Sequence, residues 1–338
     1  MKPSLRSLAR DLEMSHTTVS DALRGTGRVD ADTVKRVRKA AEEAGYEHNP
    51  LASKLMSEMR RSRGGTFRGV LAAVSRHEPE QPSLGLNFPR ELVVGAGIRA
   101  EQLGFRLEEF VVNRGGLKLP RLHSVLQTRG IQGVIILPQW STPNWSTLEW
   151  GSYAGVYADY GIEHPPLHTV CCDHFRTVTS ALARLEEMGY QRPGLFLLAH
   201  QDERLLNRFS AAFHGFKPVQ VRAKVPPLMP ASLEREEFVA WFEKYDPDVV
   251  IAHYTNVIDW MKECGADVPG THGFLCLNHL FKTQPCAGLD QQPREIGARA
   301  AELVIAQLQR NERGVPTWPN MTTIPARWVD GPTLRFQS

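Results

Sequence analysis

The side chains best suited to hold a small molecule stand directly after short apolar runs in the second part of the chain. The runs GVLAAV, GVIILP, HTVCC, VVIA and GFLCL are each followed by polar or aromatic groups. These groups are Ser75, Arg76, His77, Gln139, Trp140, Asp173, His174, His253, Tyr254, Asn256, Asn278 and His279. They could hydrogen-bond hydroxyl groups or stack on a ring, and imidazoles in a cleft can also act as acids and bases. The pattern favours a binding site or an active site.

The elements that carry these groups follow an α/β rhythm. From Phe67 onwards, short apolar runs alternate with amphipathic helical segments, and the rhythm starts again after residue 166. This alternation predicts two lobes with parallel sheets. Ligands of open α/β sheets lie beyond the carboxyl ends of the strands, so the candidate side chains should border a cleft.

Composition excludes several classes of protein. Apolar residues make up 42% of the 338 residues and charged residues 23%, and no uninterrupted apolar run is long enough for a membrane span. Charges at Arg6, Arg10, Asp11 and Glu13 interrupt any signal-peptide core, so we expect a cytoplasmic protein. The five cysteines lack CxxC spacing, and we expect reduced thiols, no metal site and no cofactor.

The first 65 residues differ from the rest in charge and in pattern. They carry 13 Lys/Arg against 9 Asp/Glu, whereas the remainder carries 27 against 28. Apolar spacing predicts three short helices: one over residues 4–12, a second that begins after Ser15 and ends at Gly25, and a third that starts near Asp30 or Asp32. The local positive excess suits a unit that approaches DNA, although a generic three-helix bundle would show the same spacing.

The N-terminal segment resembles the helix-turn-helix DNA-binding headpiece of the lactose-repressor (LacI/GalR) family. The strings SLARDLEMS, TTVSDALRG, GRVDADTVKRV and AAEEAGY carry the resemblance, which implies a headpiece over residues 1–48. The recognition helix would run from His16 to Leu23 and enter the major groove. By position, the implied base-reading residues are His16, Thr17 and Asp21, and the implied phosphate contacts are Ser15, Thr18, Ser20 and Arg24.

Asp21 departs from the family pattern, which commonly has Arg at this position. A carboxylate repels phosphate and can only accept hydrogen bonds, for example from cytosine N4. The operator would then be unusual. The alternative is that Asp21 is a solvated helix residue paired with a nearby arginine.

Residues 49–66 resemble the hinge helix and linker of the same family. In the stretch HNPLASKLMSEMRRSR, Leu55 matches the leucine that wedges into the minor groove of bound DNA as part of a dimer. Ser53 stands where the family typically has Arg. An ordinary amphipathic linker helix, with Leu51 and Leu55 packed inward, is the alternative.

Residues 67–338 resemble the family's two-lobed, periplasmic-binding-protein-like effector domain. The resemblance rests on LHTVCCDHFRTVTSALARLEEMGYQRPGLF, PDVVIA and GLDQQPREIGARAAELVIAQL. It implies an N-lobe over about 67–165 and 289–320 and a C-lobe over about 166–288 and 321–338. Arg208 matches the family arginine that grips the ligand. Asn278 replaces the usual Asp, and Tyr254 with Thr255 replace the usual Asn-Asp. The implied effector-binding residues are His77, Trp140, Asp173, His174, Arg208, Tyr254 and Asn278.

The function expected from these features is that of a transcription regulator. We expect a nucleoid-associated, homodimeric repressor that binds operator DNA and is controlled by a sugar or sugar derivative. An enzyme is the main alternative because of the histidines at strand ends, but GxSxG, GxxxxGK[ST] and HExxH motifs do not occur. A transport binding protein would not need the first 60 residues. The sequence does not decide between inducer and corepressor.

Overall fold

The computed structural model describes residues 5–24, 29–44, 67–79, 83–115, 117–141, 144–160, 163–216 and 225–336. The chain divides into two compact units, residues 1–68 and residues 69–338. The whole hinge segment, residues 49–66 including Leu55, lies outside the described residues.

The N-terminal unit contains three short helices around a small apolar core. They are α1 (Leu5–Asp11), α2 (His16–Arg24) and α3 (Ala31–Glu43). The buried residues described in this unit are Leu8, Ala9, Val19, Ala22, Val37 and Ala41. Side-chain caps fix two of the helix starts. Ser15 Oγ accepts from the Thr18 amide at 3.0 Å, and an Asp30 carboxylate oxygen accepts from the Thr33 amide at 2.9 Å.

The second unit contains two sheets. The first has the strand order β10-β5-β4-β3-β1-β2 and is parallel throughout. Its strands are β1 (Gly69–Arg76), β2 (Phe105–Val112), β3 (Gly133–Ile136), β4 (Ala154–Tyr157), β5 (His168–Cys172) and β10 (Met321–Ile324). The helices of this lobe are α4 (Asn87–Gln102), α5 (Leu119–Arg129) and α11 (Pro293–Arg310).

The second sheet has the order β11-β9-β8-β7-β6, with only β11 antiparallel to its neighbour. Its strands are β6 (Pro193–Phe196), β7 (Val249–Ala252), β8 (Gly273–Cys276), β9 (Ala287–Asp290) and β11 (Arg327–Val329). The helices of this lobe are α6 (His174–Glu187), α7 (Ala199–Glu203), α8 (Arg208–Gly215), α9 (Arg235–Tyr245) and α10 (Val257–Glu263). The expected α/β architecture with parallel sheets is confirmed.

The boundaries between the lobes differ from those expected. Strand β5 pairs with β4 and β10, so residues 168–172 and 321–324 belong to the first sheet. The expectation had placed both segments in the C-lobe. Strand β5 is buried from Thr169 to Cys172 and reads as an apolar run in either sheet, so its sequence does not reveal its neighbours. Strand β10 is an edge strand with three exposed residues, and its sequence MTTI does not indicate a sheet either. The chain passes between the sheets after β5, after β9 and after β10.

Two glycines let α4 and α11 pack closely beside the first sheet. A methyl group on Gly95 would lie 1.9 Å from the Arg294 carbonyl oxygen, and one on Gly297 would lie 2.0 Å from the Leu92 carbonyl oxygen. These distances are far below van der Waals contact, so each position requires glycine in this arrangement. The close packing fixes the start of α4 and the first turn of α11 relative to the sheet.

Candidate ligand-binding cavity

A cavity lies between the two lobes, beside the carboxyl ends of strands from both sheets. It encloses about 790 Å³, part of which is open to solvent. We call it the interlobe cavity. Its polar lining is Gln139, Asp159, His174, His200, Gln201, Arg204, His253, Asn278 and Gln291, and its largest apolar side chains are Phe88, Pro89, Pro138, Trp140, Leu205, Phe209, Phe281 and Ile296. Its mixture of apolar, aromatic and polar lining groups is typical of small-molecule sites.

Several polar atoms of this lining have no partner among the described residues. They are both amide atoms of Gln139, Nδ1 of His174, Nε2 of His200 and Nε2 of His253. Buried polar atoms are normally hydrogen-bonded, because an unsatisfied one carries its full desolvation penalty. Four side chains that converge on one cavity with uncommitted polar atoms are therefore suited to bind a polar molecule there.

The two fully buried histidines are neutral. Burial lowers the pKa of His174 and of His253 to about 3, and the positive charge of Arg204 contributes to both shifts. His253 Nδ1 lies 3.0 Å from Gln201 Oε1, and Gln201 Nε2 donates to the Tyr254 hydroxyl at 2.7 Å. In this arrangement Nδ1 carries the proton of His253. Its Nε2 is then a buried hydrogen-bond acceptor, without a partner among the described residues, on a residue that lines the cavity.

One ion pair joins the two lobes at the cavity wall. Arg204 Nη1 donates to Asp159 Oδ2 at 2.6 Å, and Asp159 Oδ1 accepts from the Tyr160 amide at 2.8 Å. Asp159 follows β4 in the first lobe, and Arg204 follows α7 in the second. The Asp159 side chain is only 7% exposed, so Arg204 supplies the counter-charge of a largely buried carboxylate.

Trp140 belongs to a loop that Glu78 holds in place. The Glu78 carboxylate accepts from the Trp140 amide at 2.6 Å, from the Ser141 amide at 2.9 Å and from the Ser141 hydroxyl. The Trp140 ring meets His200 of the second lobe with a centroid separation of 4.8 Å. The burial of His200 lowers its pKa as well. Glu78 is therefore the residue that positions the indole against the opposite lobe.

The structure brings three of the seven predicted effector residues into the cavity lining: Trp140, His174 and Asn278. The other four lie elsewhere. His77 is exposed after β1, and Asp173 caps α6 by accepting from the Arg176 amide at 3.0 Å.

Arg208 and Tyr254 are not among the lining residues of the cavity, although each contacts a residue near it. The Arg208 guanidinium lies 4.6 Å from the centre of the Tyr160 ring, and the Tyr254 hydroxyl holds Gln201. A direct effector contact by these residues stays a prediction.

Lining residues that the prediction did not select include Asp159, His200, Gln201, Arg204 and Gln291. The rule that selects polar residues after apolar strands could have found two of them, because Asp159 follows β4 and His200 follows the apolar run that contains β6. Gln201 and Arg204 lie further along, on α7 and the turn after it, where distance from the strand end removes the signal.

The predicted DNA-binding residues are described in part. Ser15, Thr18 and Asp21 lie at the start and middle of α2, on the described surface of the N-terminal unit. The Ser15 hydroxyl caps the helix and also lies 2.8 Å from the Thr18 hydroxyl. The backbones of His16, Thr17, Ser20 and Arg24 belong to α2, but their side chains lie outside what the structure describes, as does Leu55. Their contacts with DNA stay predictions.

The thiols and histidines form no metal centre in the part of the chain that the structure describes. All five cysteines are free thiols, and burial raises the pKa of Cys172 to about 12. An enzyme was the main alternative because of four histidines at predicted strand ends, His77, His174, His253 and His279. Of these four, only His174 and His253 line the interlobe cavity. Among the described helices, none combines the length and apolarity that crossing a bilayer requires.

Comparison with known proteins confirms the family resemblance of the N-terminal segment. Residues 4–49 match the family described as bacterial regulatory proteins, lacI family. The maltose regulon regulatory protein MalI of Escherichia coli (strain K12) is 31% identical over 135 residues, which are 40% of this chain and 35% of that protein. The match therefore spans about a third of this relative. The chain carries the lacI-family domain at its N-terminus.

Solved structures share the fold of the whole chain. The complex of the transcriptional regulator CelR with cellobiose aligns with a TM-score of 0.54 at 18% identity, over 98% of this chain and 99% of that one. The lac repressor dimer bound to operator and the anti-inducer ONPF aligns with a TM-score of 0.55 at 16% identity and the same coverage. The regulator CCPA from Weissella paramesenteroides with bound glucose aligns at 0.55 and 15% identity, over 79% of this chain and 98% of that one. At these identities, the likeness concerns the fold.

Proposed function

We propose that this protein is a sequence-specific DNA-binding transcription regulator, a repressor that a small molecule in the interlobe cavity controls. The observation that carries the proposal is the convergence of uncommitted, buried polar atoms from Gln139, His174, His200 and His253 in a chain that begins with a lacI-family domain. A sugar or sugar derivative fits such a lining, because hydroxyl groups both donate and accept hydrogen bonds. Relatives of the same fold bound to cellobiose and to glucose support this ligand class.

The DNA-binding surface of the proposal is the start of α2. We assign base contacts to His16, Thr17 and Asp21, and phosphate contacts to Ser15, Thr18, Ser20 and Arg24. A homodimer would present two such helices to two half-sites, with Leu55 as the minor-groove wedge. The lac repressor dimer bound to operator supports this assembly by analogy of fold.

Control of DNA affinity would follow from the separation of the lobes. A ligand that contacts Trp140 on one lobe and His174 or His253 on the other favours one relative arrangement of the lobes, and it can shift the equilibrium only by its difference in affinity for the two arrangements. In a dimer, that shift would change the spacing of the hinge segments and so the affinity for operator.

Selection of genomic fragments by the purified protein tests the DNA-binding part of the proposal. We expect enrichment of specific sites at moderate salt, and a change in affinity for them when a sugar that binds the cavity is added. On such a site, Leu55→Ala should weaken specific binding by about tenfold or more while leaving non-specific binding nearly unchanged. Leu51→Ala is the matched control. Absence of any enriched site, with or without sugars, would refute the regulator function, and equal losses on both DNAs would remove the wedge role of Leu55.

A further inference from the structure

The charges of the cavity wall indicate which chemical class of effector the site accepts. We infer that the effector is an uncharged polyhydroxyl compound, without a carboxylate or phosphate group. This inference rests on the proposed function only in taking the interlobe cavity as the effector site. It concerns selectivity, which can fail while DNA binding stands.

The first observation is that Arg204, the cation in the cavity lining, already forms an ion pair with Asp159. Among the described residues of the lining, Arg204 and Asp159 are the members with permanent charge, and they pair with each other at 2.6 Å. An anionic ligand would need the Arg204 guanidinium. Taking it would leave the buried Asp159 carboxylate with the Tyr160 amide and without a counter-charge, and it would place a second negative charge nearby. A neutral ligand leaves the ion pair intact.

The second observation is that the imidazoles cannot supply the missing positive charge. His174 and His253 are buried, lie close to Arg204 and are neutral because of both effects. Protonating either ring would add a second cation to a desolvated site. The charge of Arg208 also reaches His174, but Arg208 is not a lining residue and lies over the Tyr160 ring at 4.6 Å. Within the lining, a carboxylate or phosphate would therefore meet neutral groups and the already paired Arg204.

The third observation is the direction of the available hydrogen bonds. With Gln201 accepting from Nδ1, the Nε2 atom of His253 can only accept. An ionised carboxylate or phosphate oxygen also only accepts, so the two lone pairs would repel. A hydroxyl group can donate to His253 and still accept from the Gln139 amide.

The aromatic lining completes the fit. Trp140, Phe88 and Phe281 add apolar faces to the neutral polar groups. Such faces pack against the C–H side of a sugar ring, while its hydroxyl groups reach the polar wall. Together, the groups match a compound that is rich in hydroxyls and carries no net charge.

Thermal-shift titration tests this selectivity on the full-length protein. The probes are common neutral mono- and disaccharides, including glucose, maltose and cellobiose, together with gluconate, glucuronate and glucose 6-phosphate as charged counterparts. We expect at least one neutral probe to raise the melting temperature, with its charged counterpart binding at least about tenfold more weakly. Stabilisation by a charged probe equal to or greater than by its neutral counterpart would overturn the inference, as would stabilisation by no neutral probe. Fragment selection on the same preparation separates either failure from failure of the regulator function.

A single substitution should reverse the preference. Asp159→Asn keeps the shape of the side chain but releases Arg204, so the charged probes should gain affinity relative to the neutral ones. Asp246→Asn is the matched control, because Asp246 pairs with Arg192 at 2.6 Å on an exposed surface outside the cavity lining. An unchanged ratio of charged to neutral binding in folded Asp159→Asn protein would contradict the role of the ion pair. The titration of the unaltered protein decides the inference if this variant does not fold.

Discussion

The N-terminal unit and the interlobe cavity differ in the kind of side chain that they bury. The described core of the N-terminal unit consists of small and medium apolar side chains, among them Val19 and Val37, and Ser15 at the start of α2 is exposed. The cavity instead buries polar side chains from segments between residues 85 and 296. A surface built on one helix needs only that the helix forms, whereas a buried polar site needs many segments in register. The two regions should therefore respond differently to the same kind of perturbation.

The largest difference should follow from a charge in the core of the N-terminal unit. Val37→Asp places a carboxylate among Leu8, Val19 and Ala41, where it has no counter-charge among the described core residues. A buried, unpaired charge costs several kcal/mol, which is comparable with the whole stability of a small domain. We expect operator binding to be lost while the melting transition of residues 69–338 and its shift with sugars persist. Circular dichroism, calorimetry and gel-shift titration measure the three effects.

Lys35→Asp is the control for this prediction, because it places the same charge on the exposed side of α3. It should leave the N-terminal unit folded. If Val37→Asp instead shifted the melting of the whole chain, the two units would not be independent, and the contrast between them would fail.

A fall in pH should have the opposite effect and destabilise the second unit, which contains the cavity. His174 and His253 have a pKa of about 3 in the folded protein against 6.5 as the ordinary value, chiefly because they are buried. Below pH 6.5 the unfolded chain takes up protons that the folded chain refuses. Stability is therefore present above pH 6.5 and is lost as the pH falls towards 3, by about 1.4 kcal/mol per pH unit for each histidine.

Denaturant unfolding of the second unit between pH 7 and pH 5 measures this loss. Around His174 lie Arg204, Arg208 and His253, and around His253 lie Arg204 and His200. His174→Phe keeps the aromatic packing with Tyr160 and Phe209. It should lower the number of protons taken up on unfolding by about one, and so reduce the slope of stability against pH. Replacing the exposed His77 by Gln should change the dependence little. A slope that His174→Phe leaves unaltered would mean that this imidazole is charged in the folded state.

The contrast also explains how far each region could be predicted from sequence. The helices of the N-terminal unit are continuous in sequence, so caps such as Ser15 and the apolar spacing predict them nearly residue by residue. The strand-end rule found Trp140, His174 and Asn278 in the cavity. The sequence did not predict which of the two sheets contains β5, because an apolar run does not indicate the strands with which it pairs.

Arg204 shows why the remaining site residues escaped prediction. Arg204 and Arg208 are four residues apart, and on a continuous helix they would lie on the same face. Helix α7 ends at Glu203, and Leu206 and Asn207 adopt left-handed backbone with φ of 55° and 57°, so α8 starts as a separate helix. Arg204 consequently reaches Asp159 in the cavity wall, while Arg208 lies over Tyr160. Only the three-dimensional backbone distinguishes the two arginines.

The smallest expected effect concerns the helices that support the cavity. Gly95→Ala should destabilise the second unit by about 1–3 kcal/mol, because its methyl group collides with the Arg294 backbone and must push α4 away from α11. Phe88 and Pro89 at the start of α4 and Ile296 on α11 line the cavity, so sugar affinity should fall as well. Denaturant unfolding and sugar titration of the variant measure the two effects.

Gly97→Ala provides the matched control on the same helix. A methyl group there lies 4.0 Å from Leu107 Cδ2, which is ordinary contact, so the gain in helix propensity should make this variant neutral or slightly more stable. Operator binding by the N-terminal unit should be unaffected by either change when no sugar is present. Equal stabilities of the two alanine variants would mean that α4 can move away from α11 at no cost, and the cavity would then lack the rigid support that separates it from the single-helix surface of the N-terminal unit.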